Sequence, residues 1–113
     1  MITVIGHDGS PLPEPARQAL AEAALVVGGA RHLAALPVPE TARTVVMGDV
    51  TAALEEIGEQ AEKTGGVVVV ASGDPGFFGI VRALRERGHR VRVLPAISSV
   101  AAAFARAGLP WDD

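Results

Sequence analysis

The sequence contains no cysteine, which excludes disulfides, thiolate metal ligands and a cysteine nucleophile, and fits a reducing, cytoplasmic setting. Aromatic residues are scarce, with one tryptophan and three phenylalanines in 113 residues. A core must therefore be assembled from Val, Ala, Leu and Ile, the composition of a parallel sheet buried on both faces. No apolar stretch approaches membrane-spanning length, and Met1-Ile2-Thr3-Val4-Ile5 runs into Gly6 without a basic leader. A soluble chain with no membrane partner is expected. Excess positive charge is lacking as well: ten Lys plus Arg against thirteen Asp plus Glu leave a formal charge of -3, a poor basis for binding nucleic acid. The local basic cluster Arg82, Arg85, Arg87, Arg90 and Arg92 reads as a solvated face without a functional role.

What is present is an alternation of short β-rich runs and helical stripes. The runs are Ile2 to Ile5, Leu25 to Val27, Thr44 to Met47, Val67 to Ala71 and Val91 to Leu94. This alternation predicts an α/β domain on a parallel sheet. Val67-Val68-Val69-Val70 is apolar on both faces and belongs at the centre, whereas Val91-Arg92-Val93 alternates as a strand near water would. Between the runs, Pro15 is well placed as a first helical residue, followed by a stripe of Ala16, Ala19, Leu20 and Ala23. Asp49 is a good N-cap for a helix whose face carries Val50, Ala53, Leu54, Ile57 and Ala61 and which Gly65-Gly66 stops. Ile80, Val81 and Leu84 precede Gly88, and a last stripe of Val100, Ala103, Phe104 and Ala107 ends at Gly108 and Pro110.

In an open parallel sheet, ligands collect beyond the carboxyl ends of the strands. Gly6-His7-Asp8-Gly9 permits a tight turn after the first strand but lacks the G-x-G-x-x-G spacing of a dinucleotide site. After the second strand, Gly28-Gly29-Ala30-Arg31-His32 offers no acidic residue for a ribose. Its glycines serve a turn or a close ligand approach equally well, and His32 reads as a partly exposed helix residue. After the fourth run, Ser72-Gly73-Asp74-Pro75-Gly76-Phe77-Phe78-Gly79 combines a proline that keeps Asp74 out of the α region with three glycines. That composition favours a stiff, open ligand loop over a simple cap by Asp74. Pro95-Ala96-Ile97-Ser98-Ser99 places two hydroxyls where they cap the last helix or reach a ligand.

Ser72 to Gly79, Pro95 to Ser99, Ala103 to Asp113 and Val26 to Leu33 together resemble the tetrapyrrole methylase family. Within it they are most similar to the branch of precorrin-6Y C5,15-methyltransferases and cobalt-precorrin-7 C5-methyltransferases of cobalamin synthesis. The resemblance implies a three-layer first domain, residues 1–113, on a five-stranded parallel sheet of order 3-2-4-1-5. In complete members a carboxy-terminal methylase domain, absent from this chain, follows, with S-adenosylmethionine between the two. It further implies that Ser72, Gly73, Asp74 and Phe77 contact the cofactor from one loop and Ser98 and Ser99 from a second turn. The first-strand loop would face a precorrin-type tetrapyrrole, where His7 or Asp8 would orient a ring carboxylate or relay a proton. No catalytic side chain and no metal ligand is assigned, since a sulfonium methyl needs alignment and exclusion of water more than a nucleophile.

Two departures from the family pattern stand out. The first loop is shorter in glycine than the usual G-x-G-x-x-G or G-x-G-P-G, and half of the cofactor cleft would come from the second domain. The chain alone is accordingly expected to be inactive. A different class of function, a non-catalytic module that binds a tetrapyrrole or supports assembly, remains the alternative. Whether two copies pair as a homodimer is left open.

Overall fold

The structure is a computed structural model that describes residues 1–63, 65–72 and 76–96, the side chains of residues 76–78 excepted. The described elements run β1 (Ile2–Gly6), α1 (Glu14–Ala21), β2 (Ala23–Gly28), α2 (Ala30–Ala35), β3 (Arg43–Val46), α3 (Val50–Ala61), β4 (Gly66–Ala71), α4 (Gly76–Glu86) and β5 (Val91–Leu94). The five strands form one sheet in the order β3-β2-β4-β1-β5, and every pairing is parallel. This is the α/β architecture and strand order expected from the sequence. The last helical stripe and the Ser98-Ser99 turn lie outside the described residues.

Central placement of β4 follows from its composition. Val67, Val68, Val69 and Val70 are each at most 2% exposed, and both edges of the strand are taken, by β1 through Val67 to Ala71 and by β2 through Gly66 to Val70. β-branched residues suit a pleated strand packed on both sides. Because side chains alternate along a strand, Val67 and Val69 join Ile2, Val4, Leu25 and Val27 against α3 and α4. Val68 and Val70 join Ile5 and Val26 against α1, with Leu33 of α2 partly buried beside them. Three layers result. The outer strands β3 and β5 are four residues each, with Arg43 and Arg92 exposed. Short strands carrying charge are the usual protection of a sheet edge.

Two expected positions differ. Ala23, read as the last residue of the first helical stripe, is the first residue of β2, next to a register irregularity between Ala23 and Leu25. The run Ala19-Leu20-Ala21-Glu22-Ala23-Ala24 does not by itself distinguish helix from strand, and pairing of Ala23 with Gly66 decides it. Val50, read as part of the buried face of α3, is 48% exposed. It is the first residue of the helix, beyond the end of the sheet, and has no layer to pack on. Asp49 does cap that helix, its Oδ1 accepting from the Thr51 N–H at 2.9 Å, an interaction worth about 1 kcal/mol. Gly65 precedes β4 with φ +104, and a Cβ there would stand 2.6 Å from the Ala24 Cβ; a glycine is needed at that entry.

The packing argument gives an expected contrast within one helix. Ile57 is fully buried and Val50 is not. Ile57→Ala should lower unfolding stability by about 2–5 kcal/mol, while Val50→Ala should stay within about 0.5 kcal/mol. Urea denaturation of the two variants measures both.

Candidate functional site

The carboxyl ends of β1, β2, β3 and β4 open onto two adjoining hollows. Their positions follow from the ladder. The His7 N–H donates to the Ala71 carbonyl at 2.9 Å, and the Met47 N–H donates to the Gly28 carbonyl at 2.9 Å. Each bond extends a strand pairing one step past the strand and fixes the following loop over the end of its neighbour.

The first hollow, about 440 Å³, is bordered by Gly29 and His32 at the mouth of β2, Met47 and Val50 after β3, Ser72 after β4, and Ile80 of α4. Its wall is mainly apolar, with few polar groups, and its volume is within the range of roughly 300–1,000 Å³ typical of small-molecule sites. The second, about 400 Å³, is bordered by His7, Asp8, Arg31, His32 and Ser72. His32 and Ser72 are common to both.

Between these hollows, His7 Nδ1 and His32 Nδ1 stand 2.8 Å apart, with ring centroids at 5.1 Å and the planes at 71°. One Nδ1 must carry a hydrogen and the other a lone pair for this contact to be a hydrogen bond. Strands β1 and β2 are not neighbours; β4 lies between them, so the two loops are about 10 Å apart across two strand spacings. Two imidazoles reaching toward one another across the end of β4 close that gap. His7 is only 7% exposed. His32 is held below the usual imidazole value, first by burial and then by the nearby His7 and Arg31. Arg31 is exposed and makes no ion pair among the described residues.

Of the residues expected to line a site, His7, Asp8 and Ser72 come together around the second hollow. Asp8 also organises its own turn, its Oδ1 accepting from the Ser10 N–H at 2.9 Å. Gly73, Asp74, Ser98 and Ser99 lie outside the described residues, and Phe77 is in the first turn of α4 with its side chain outside them. Gly28 ends β2 against Val70, while Gly29 borders the first hollow, so the glycine pair divides between strand packing and the cleft. His32 is a partly exposed helix residue, as expected, and in addition bonds His7 and borders both hollows. Arg31, Met47 and Val50 were also missed. The signal for His32 was a second histidine just past the carboxyl end of a strand, legible only once the strand order is known. No cluster of His, Cys, Asp or Glu suited to a metal ion occurs among the described residues, and no described helix is long and apolar enough to cross a membrane.

Comparison with known proteins places this geometry in context. The family model for tetrapyrrole (corrin/porphyrin) methylases matches residues 8–113. The cobalt-precorrin-7 C(5)-methyltransferase of Salmonella typhimurium is 39% identical over 118 aligned residues, covering 100% of this chain and 58% of the relative. The precorrin-6Y C(5,15)-methyltransferase (decarboxylating) of a Sinorhizobium species is 37% identical over 117, covering 96% of this chain and 27% of the relative. The chain thus spans 27% to 58% of the length of these relatives.

His32 makes a pH dependence of stability that can be signed. In the unfolded chain His32 takes up its proton near the ordinary value of about 6.5, whereas in the folded chain it does so only at lower pH. Its contribution is therefore full above that ordinary value, declines as pH falls below it, and levels off beneath the folded value. Urea midpoints from about pH 8 to 5 should fall with decreasing pH. The fall should be shallower in His32→Gln.

Proposed function

This chain belongs to the tetrapyrrole (corrin/porphyrin) methylase family, and from that premise we propose that it forms one half of an S-adenosylmethionine-dependent precorrin C-methyltransferase of cobalamin biosynthesis. The observation that carries the reading is the apolar hollow at the ends of β2, β3 and β4, with Ser72 on its border. Its wall of Met47, Val50 and Ile80 offers the flat apolar contact an adenosyl group requires, with Ser72 as a polar group at the rim. The hollow also lacks the acidic residue after β2 that a dinucleotide site would use.

S-adenosylmethionine, when bound, supplies a methyl group already activated on sulfonium. The chain's own contribution is to orient and desolvate. Ser72 and, by sequence resemblance, Gly73, Asp74, Phe77, Ser98 and Ser99 hold the cofactor, while His7 and Asp8 face the tetrapyrrole from the adjoining hollow. With Ser72 and His32 shared between the hollows, the methyl donor and its acceptor carbon meet along their common border. The names of the relatives favour C5 as the methylated carbon, with C15 methylation and decarboxylation belonging to the longer one.

A carboxy-terminal methylase domain completes the cleft in this reading. The share of the relatives left unmatched supports it, as does the 48% exposure of Val50 on the border of the hollow. The isolated chain would then be inactive.

Calorimetry on the protein joined to its carboxy-terminal domain should detect binding of S-adenosylmethionine and its demethylated product. Ser72 is exposed, so Ser72→Trp should leave the fold intact while obstructing the hollow and weakening binding about tenfold or more, or at least about 1.4 kcal/mol. A completed protein that ignores both compounds overturns the reading.

A further inference from the structure

The unusual feature of the second hollow is a pair of imidazoles that cannot both be fully protonated. With the two Nδ1 atoms 2.8 Å apart, a hydrogen on each would set two donors face to face, so the bonded pair accepts at most one excess proton. In the neutral pair, the ring that donates through Nδ1 has an unprotonated Nε2, and the other ring carries its hydrogen on Nε2. Adding a proton turns both Nε2 atoms into donors and gives the pair a positive charge. Protonation therefore creates an anion receptor out of a neutral contact.

We propose that His7, His32 and Arg31 form a proton-coupled carboxylate receptor that takes up one carboxylate of an anionic ligand together with one proton. The proposal deepens the methyltransferase reading and rests on it, the ligand being a polycarboxylated tetrapyrrole. His32 is half-buried, and burial together with the nearby His7 and Arg31 disfavours its protonated form in the absence of an anion. Arg31 borders the same hollow, makes no ion pair among the described residues, and adds a permanent charge and a forked donor set suited to carboxylate. A carboxylate between them offsets both obstacles to protonation, burial and neighbouring positive charge.

Two other charged groups border hollows that His7 lines, Asp8 and Arg17. Asp8 of the loop after β1 faces the hollow, and one of its oxygens is engaged by the Ser10 N–H. Arg17 of α1 borders a neighbouring hollow with His7 but is ion-paired to Glu14. From β4 and its described continuation come only the Ala71 carbonyl and Ser72.

The test uses the protein with its carboxy-terminal domain and uroporphyrin, a porphyrin octacarboxylate, as probe. Titration calorimetry in Pipes and in Tris, buffers of different ionisation enthalpy, measures proton uptake directly. Uptake approaching one proton per porphyrin is expected, with affinity rising up to about tenfold as pH falls from about 8 to 7. His32→Gln and His7→Gln should abolish the uptake and flatten the pH dependence, and Arg31→Gln should weaken binding about tenfold at every pH. If His7→Gln does not fold, His32→Gln, at a less buried position, carries the test. Absence of porphyrin binding, binding without proton uptake, or uptake that persists in His32→Gln overturns the proposal. S-adenosylhomocysteine binding to the parent protein is measured alongside; its absence removes the cofactor reading, whereas an altered proton count concerns the receptor alone.

Discussion

The double pairing of β4 is the constraint from which the other features follow. A strand that is apolar on both faces and hydrogen-bonded along both edges has no solvent-facing side, so helices must cover the sheet above and below. Chain order then decides which helices do so. α1 and α2 cover one face on the way out to β3, and α3 and α4 the other on the way back to β5. Helices α2 and α4 consequently lie on opposite faces, and a crevice opens at the ends of β2 and β4. Ligand sites of open parallel sheets occur in such crevices because the chain cannot fill them with its own layers.

Placing β4 between β1 and β2 also determines what the crevice contains. The loops after β1 and β2 are held two strand spacings apart, too far for their backbones to meet and near enough for two imidazoles. The His7–His32 bond is therefore a bridge over the end of β4, not a local turn contact. It replaces a potentially costly situation, a nearly buried imidazole without a partner, with a satisfied pair, and none of the described buried side-chain polar atoms lacks a partner. Burial lowers the readiness of His32 to carry charge, and the nearby His7 and Arg31 lower it further.

Much of this fold was legible in the residue pattern because it depends on local rules. The Val67 to Val70 run reads as a central strand, Asp49 as a helix N-cap, and the alternation of strands and helices as a parallel sheet. The misplaced residues lie where the local rules are silent. Ala23 belongs to an alanine-rich run whose state is decided by pairing with Gly66, and Val50 has the periodicity of a core residue but starts its helix beyond the sheet. Resemblance supplied the strand order, which composition does not contain. His32 remained hidden for a related reason: its partner is 25 residues away, and only the topology makes them neighbours.

The short first loop acquires a physical meaning in this setting. A longer glycine pattern presents backbone N–H groups to a ligand, with no side chain between. Gly6-His7-Asp8-Gly9 instead keeps one glycine in the strand and one in the turn, leaving the side chains of His7 and Asp8 on the border of the second hollow. His7 is directed inward by its ladder bond to Ala71 and held there by His32, while Asp8 ties down the turn through Ser10. In the proposed receptor, contact on this side of the crevice runs through titratable side chains in place of fixed backbone donors. A backbone amide offers the same donor at every pH; an imidazole pair offers a donor set that depends on its proton. The loss of glycine thus exchanges an invariant surface for one whose charge responds to what lies against it.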